Sequence, residues 1–259
     1  MRIPIYQIDA FTGTVFSGNT AAVCLLETWP KDTLLQSIAA ENNLSETAFL
    51  VGRENRYALR WFTPLIEVDL CGHATLASAF VVFMHLAPTL DEIVFDTRSG
   101  ELKVHRQDDL FSMDFPSLPA TPCPCPDHLL QGLGRQPRAV LRSTKYLALF
   151  DTEDEIRALK PEMDVLKRLD LMGVIVTAPG SDTDFVSRVF APKVGIPEDP
   201  VTGAAHCVLT PYWAARLDKN KLYARQVSAR GGELFCELRN HWVILAGRAI
   251  QFLQGEISV

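Results

Sequence analysis

RWFTPLIEVDLCGHATLASA, residues 60–79, returns in altered form as RVFAPKVGIPEDPVTGAAH, residues 188–206. Arg60-Trp61-Phe62-Thr63-Pro64 matches Arg188-Val189-Phe190-Ala191-Pro192, half the chain further on. Cys71-Gly72-His73-Ala74 matches Thr202-Gly203-Ala204-Ala205 at a slightly longer spacing. Arg98-Ser99-Gly100-Glu101-Leu102 matches Arg230-Gly231-Gly232-Glu233-Leu234 at a spacing slightly longer again. Three matches in the same order, with a slow drift in spacing, describe a duplicated unit carrying small loop insertions. The period is far longer than that of a solenoid. The expected division is an N-terminal lobe, 1–118, and a C-terminal lobe, 119–249, with a last strand, 250–259, returning to the first lobe. The boundary falls in SLPATPCPCPDH (117–128), where four prolines interrupt any helix or strand.

Both lobes read alike. Runs rich in β-branched and aromatic residues, IYQIDAF, TAFLV and YALRWF, then AVLR, YLALF, GVIVTA and FVSRVF, predict strands. After each RxF[TA]P strand end comes a stretch that is apolar on nearly all sides: HATLASAFVVFMHL (73–86) and AAHCVLTPYWAARL (204–217). A helix of that kind is buried rather than laid on a surface. Pro211 is expected to kink the second one. Three further strands follow in each lobe. The fold class is therefore α+β, with two similar lobes of mixed β-structure, each wrapped around a buried central helix.

Composition narrows the function. A net charge of −6 and a pI near 5.5 argue against a nucleic-acid partner, which favours a basic face. No apolar run is long enough to span a bilayer, so no membrane span is expected. The six scattered cysteines, in a chain too large to need disulfide staples, point to reduced thiols and a cytoplasmic location.

If the lobes face each other, the chemistry lies where the two helices begin. Gly72 and Gly203 open them, and a helix N-terminus offers free N–H groups and partial positive charge to an anion, most simply a carboxylate. Gly72, His73, Gly203 and Ala204 are the expected backbone donors. The differences between the copies suggest the reactive groups. Glu46 faces Val174, His73 faces Ala204, and Asp199 faces Val68, while Glu67 faces Glu198. A carboxylate among apolar neighbours is expected to have a raised pKa, suited to taking and returning a proton. Cys71-x-His73 is too short a span for a convincing metal-ligand pair, and no glycine-rich dinucleotide fingerprint is present. No metal and no cofactor are expected.

Together, DAFTGTVFSGNTAAV, ENNLSETAFL, LRWFTPLIEVDLCGHATLASA, SRVFAPKVGIPEDPVTGAAH and SARGGELFCEL strongly resemble the phenazine-biosynthesis-like (PhzF) family of isomerases. The resemblance covers nearly the whole chain and implies the diaminopimelate epimerase fold. It implies Glu46 as the proton shuttle, with His73 and Asp199 also in the active site, and Asn19 of the SGN loop as a polar substrate contact. It implies a homodimer as well. One position departs from the pattern: Ala204 stands where the family usually has serine, which points away from the phenazine precursor as substrate. The epimerase relatives use two cysteines as acid and base. Cys71 is similar to the first of them, but Thr202 occupies the second position.

The expected activity is a cofactor-independent proton shift on a small, carboxylate-bearing, amino-acid-like molecule, with Glu46 as acid and base. The alternatives are a racemase or epimerase using Cys71 as one base, and a non-catalytic small-molecule binding protein on the same fold.

Overall fold

The computed structural model describes all 259 residues, and they form two compact units. Unit 1 comprises Met1–Asp114 and Ala246–Val259, and unit 2 comprises Phe115–Leu245. No helix is long and apolar enough to cross a membrane.

In unit 1, β1 (Arg2–Ala10) runs antiparallel to β2 (Asn19–Leu26). A crossover through α1 (Asp32–Asn42) brings β3 (Glu46–Arg53) parallel to β2. β4 (Arg56–Phe62) is antiparallel to β3 and takes the short β5 (Glu67–Val68) on its end. The central helix α2 (Gly72–Val81) then crosses to β6 (Glu92–Thr97), which is parallel to β4. β7 (Gly100–Gln107) and β8 (Leu110–Pro116) complete a meander.

α2 packs on β2, which explains its run of small residues. His73 through Ala79 and Val81 are buried, and Ala21, Ala22 and Ala48 give the helix room against the strands. Hydroxyls in such a helix need partners. Thr75 Oγ1 donates to the Cys71 carbonyl at 2.6 Å, and Ser78 Oγ donates to that of Ala74 at 2.7 Å. The α-helix is shorter than the expected 73–86. Val82–Leu86 form a π turn closed by Ala87 N–H on the Val82 carbonyl, and Pro88 follows. The turn carries Met84 and Leu86 out to solvent.

Unit 2 repeats the plan after a short start. β9 (Thr121–Pro122) pairs with β10 (Ala139–Arg142), on the far side of α3 (Asp127–Leu133). The proline-rich stretch thus holds a small strand. Pro122 lacks only its N–H, and Cys123 N–H supplies a bond to the Val140 carbonyl. β11 (Tyr146–Leu149) precedes α4 (Glu153–Ala158), which Thr152 and Glu155 close with a capping box, and α5 (Met163–Leu166). β12 (Val174–Pro179) is parallel to β11, and β13 (Phe185–Ala191) is antiparallel to β12. β14 (Ile196–Asp199) is antiparallel to β13, α6 (Gly203–Leu217) follows, and β15 (Lys221–Gln226) is parallel to β13. β16 (Gly232–Arg239) and β17 (Trp242–Gly247) come next. The pairings β2–β3–β4–β5 and β4–β6–β7 of unit 1 recur as β11–β12–β13–β14 and β13–β15–β16. The chain ends with β18 (Ala249–Ser258), antiparallel to β1.

Pro211 sits inside a continuous α6. Its missing N–H would orphan the Cys207 carbonyl, and Leu118 N–H bonds that carbonyl at 3.0 Å instead. Deeper in unit 2, Trp213 stacks on Phe185 with centroids 5.6 Å apart. Its Nε1–H donates to Thr177 Oγ1 at 3.1 Å, and that hydroxyl donates to the Val186 carbonyl at 2.6 Å.

Candidate functional site

Unit 1 brings together three of the residues singled out from the sequence. Glu46 is the first residue of β3, in register with Ala21. Cys71 is the N-cap of α2, and His73 follows in the first turn. Glu46 Oε2 lies 3.0 Å from His73 Nε2, and Cys71 Sγ lies 3.5 Å from His73 Nδ1. The Glu46 contact is an ion pair by distance, and Oε2 makes no aligned hydrogen bond. All three residues are buried, at 9%, 7% and 7% exposure for Glu46, His73 and Cys71.

The electrostatics differ from the sequence expectation. Burial alone pushes the Glu46 carboxyl up. The His73 charge beside it, with the polar contacts of His73 and Cys71, outweighs burial and brings the pKa below its ordinary value. Burial likewise opposes the His73 imidazolium, yet Cys71 and Glu46 carry it well above the ordinary value. The Cys71 thiol is pushed up by burial and by the Glu46 charge. His73 thus favours an ionised Glu46, and Cys71 and Glu46 in turn favour a charged His73. The raised pKa expected for Glu46 is corrected to a lowered one, because His73 arrives from a separate element, the first turn of α2.

Loops around this site are tightly specified. Asn19 opens β2 and is fully buried. Gly18 before it has φ +68°, and a Cβ there would lie 2.2 Å from the Ala10 carbonyl oxygen, so only glycine fits. Asp9 anchors the same loop by accepting Phe16 N–H at 3.0 Å and Thr20 Oγ1–H at 2.5 Å. Glu67, noted in the sequence only as facing Glu198, accepts a two-point fork from Arg60 at 2.7 and 2.8 Å and so fixes the strand leading to Cys71. Helix geometry leaves the N–H groups of Gly72 and His73 without intrahelical acceptors.

In unit 2, Asp199 ends β14, and its Oδ2 accepts Thr202 Oγ1–H at 2.6 Å. Gly203 and Ala204 open α6, with Ala204 exposed. A Cβ on Gly203 would meet only Leu245 Cδ1, at 3.7 Å, so packing within the unit does not demand glycine there. Gln226 was missed in the sequence reading. It is fully buried, donates to the Asp199 carbonyl at 2.6 Å and accepts Thr202 N–H at 2.9 Å, holding the β14–α6 turn. Val174 opens β12 as Glu46 opens β3. Cys207, one turn into α6, is buried in the core.

Lys145 was missed as well. Tyr146 pairs with Val174 as Ala21 pairs with Glu46, so Lys145 stands where Thr20 stands in unit 1. Burial brings its pKa below the ordinary value, while its electrostatic neighbours Asp199 and Cys207 act the other way. Only the strand register reveals this position.

A doubled β/α unit around two buried helices is the architecture of the epimerase fold, and the acid–imidazole pair at a helix start gives it a candidate proton-transfer site. The fold is shared with a hydroxyproline epimerase from Agrobacterium vitis at a TM-score of 0.63, covering 99% of this chain and 91% of that one. At 10% identity, that likeness concerns the fold alone. The chain belongs to the PhzC-PhzF family, whose model, described as phenazine biosynthesis-like protein, matches residues 8–255. It is 51% identical, over the full length of both chains, to an uncharacterized isomerase of Pseudomonas aeruginosa. A crystal structure of a PhzF-family protein from Enterococcus faecalis matches with a TM-score of 0.98 at 45% identity, covering 100% of both chains.

Proposed function

We propose that this isomerase moves a proton on a small, carboxylate-bearing, amino-acid-like substrate without a cofactor, and that Glu46 is its acid and base. The observation that carries the reading is the buried Glu46 carboxylate held 3.0 Å from the His73 imidazole at the start of α2. Held ionised by the neighbouring His73, the Glu46 carboxylate is unprotonated and able to act as a base, with a lower proton affinity than burial alone would give it. It would remove hydrogen from a carbon acidified by the neighbouring carboxylate or by conjugation. The C–H electron pair stays on the substrate, and the new O–H on Glu46 then returns the proton to another carbon or to the other face. His73 would orient Glu46 and balance its charge.

Backbone N–H groups at the start of α2 suit a substrate carboxylate. In unit 2, the family resemblance assigns Asp199 an assisting role, and Lys145 is a fitting cation for an anionic group. Cys71, 3.5 Å from His73, is the specific observation behind the second reading, an epimerase in which that thiol supplies one of the two protons. The six unpaired cysteines are consistent with a reducing, cytoplasmic setting.

Wild type and Glu46→Gln are to be incubated in D₂O with a panel of α-amino acids and cyclic dienyl amino acids, and label uptake followed by NMR. Uptake by wild type and its loss in the variant is the expected result. Equal uptake in both proteins would remove Glu46 from the role.

A further inference from the structure

Unit 2 has a concave site at the far end of α6, away from the residues discussed so far. A cavity of about 270 Å³ opens beside Tyr212, Trp213 and Arg216, in the second half of that helix. β10, the end of β11 and β12 form its other walls. At 1.5 Å per residue, Arg216 lies roughly 20 Å along the helix axis from Gly203. We propose that this cavity binds a small arene carboxylate, a single apolar ring bearing one anionic group.

The floor selects the ring. Trp213 is 2% exposed, Phe150 5% and Leu149 8%, so the floor is built from the edge of the core. Its polar groups are already engaged. Thr177 Oγ1 accepts Trp213 Nε1–H and donates to the Val186 carbonyl. Arg138 N–H donates to the Leu149 carbonyl at 2.8 Å, and Phe150 N–H to that of Thr177 at 2.9 Å. A surface of this kind gains free energy when an apolar group covers it, and a polar group placed there would lose its water without a partner.

The rim selects the charge. Arg138 and Asp151 both line the cavity and offset each other at 2.9 Å. Arg216 is left as the net charge. Its guanidinium lies 5.8 Å from the centre of the Trp213 ring, and it makes no ion pair or hydrogen bond. Stacking on the indole holds the planar fork in place, and such a fork matches a carboxylate by two parallel bonds. Tyr212 stands edge-on to Trp213 with centroids 5.4 Å apart, and its hydroxyl is a further donor at the same rim.

Volume sets the size. A cavity of about 150 Å³ accommodates benzene, and drug-sized ligands occupy about 300–1,000 Å³. The space here suits one ring and its substituent. Inorganic phosphate would leave the apolar floor uncovered, and a neutral arene would leave Arg216 unpaired.

The test titrates the full chain with para-fluorophenylacetate and follows binding by fluorine NMR. A saturable component with a Kd of about 1 mM or tighter is expected for a ligand of this size. Arg216→Met keeps the aliphatic cover over Trp213 and removes the charge, so affinity should fall about tenfold or more. The neutral para-fluorophenylacetamide should bind weaker by a similar factor. Ala139→Phe, at an exposed lining position, should fill the cavity and abolish binding. The same component should persist in Lys145→Met and Glu46→Gln, because neither residue lines the cavity. A titration without saturation overturns the site, and so does a component that Arg216→Met leaves intact or that Lys145→Met removes. Should Ala139→Phe disturb β10, Arg216→Met at its exposed position and the amide probe decide between them. Deuterium uptake tests the role of Glu46 without reference to these residues, so either reading can fail alone.

Discussion

Arg60 holds Glu67 by two parallel bonds, Nε to Oε1 at 2.7 Å and Nη2 to Oε2 at 2.8 Å, and the same fork recurs in unit 2. There Arg188 holds Glu198 at 2.7 and 3.0 Å. Each guanidinium also lies over a phenylalanine ring of its own strand, Phe62 at 5.2 Å and Phe190 at 4.8 Å. The duplication therefore preserves a mechanical element as well as a strand plan. In both units the fork ties a long strand, β4 or β13, to the short strand, β5 or β14, that leads into the central helix.

The two forks should differ in energetic weight. Glu67 also receives Arg98 at 2.8 Å, so it keeps a partner when Arg60 is lost. Arg188 additionally donates to the Ile156 and Leu159 carbonyls at 3.0 and 2.9 Å, both backbone acceptors, whereas the further partner of Arg60 is the exposed carboxylate of Asp32. Arg188→Met should cost more than Arg60→Met, but no more than the about 3–5 kcal/mol of a fully buried pair, because Arg188 and Glu198 are partly exposed. Arg60→Met should cost about 1–3 kcal/mol. Urea denaturation of both variants checks the order, and a larger loss at Arg60 would contradict it.

Glu46→Gln keeps the shape of the side chain and loses the proton carrier. Turnover should fall by about two orders of magnitude or more, the usual worth of general acid–base catalysis. Substrate affinity should change little, because backbone donors at a helix start do not depend on the Glu46 proton. Steady-state kinetics that show a raised KM at unchanged kcat would instead make Glu46 a binding residue.

Lys145→Met tests the proposed second-unit cation. A hydrogen bond to a charged group is worth about 1.5–3 kcal/mol, so KM for a carboxylate substrate should rise by roughly ten- to a hundredfold. Turnover at saturation should stay within a few-fold of wild type. A parallel fall in kcat with KM unchanged would place Lys145 in the chemical step.

His206 gives unit 2 a pH-dependent stability. It is fully buried, its Nδ1 lies 2.9 Å from the Thr202 carbonyl, and burial lowers its pKa from 6.5 to about 4. Between those values the unfolded chain binds a proton that the folded chain refuses, so stability falls as pH drops through this window. The loss should approach about 3 kcal/mol by the lower end. Chemical denaturation at a series of pH values, with His206→Gln as control, reads it. An equally steep decline in the variant would assign the effect to other groups.

Much of this architecture is legible in the chain. The apolar stretches 73–86 and 204–217 predict two buried helices, and their first turns are largely buried, while Met84, Leu86 and Leu217 at the far ends reach solvent. Repeated RxF[TA]P strand ends reveal the duplication, since they can be counted along the chain. The contrast of Glu46 with Val174 also follows from counting. Other features depend on groups meeting from distant segments. The pairing of Glu46 with His73 and Cys71, and the pKa direction it imposes, require β3 and α2 to meet. A pKa follows the charges within a few ångströms, and no local pattern records which charges those are. Gln226 is a further case: it lies well beyond Thr202 in the chain and reads as an ordinary polar strand residue until the fold buries it under the β14–α6 turn. Periodicity is a local property of the chain, so the sequence alone determines the main strands, the two central helices and their duplication, though not the small strand at Thr121–Pro122 or the end of α2. Contact between distant segments is not local, so only the tertiary structure decides the company of the reactive groups and the direction in which it moves their pKa values.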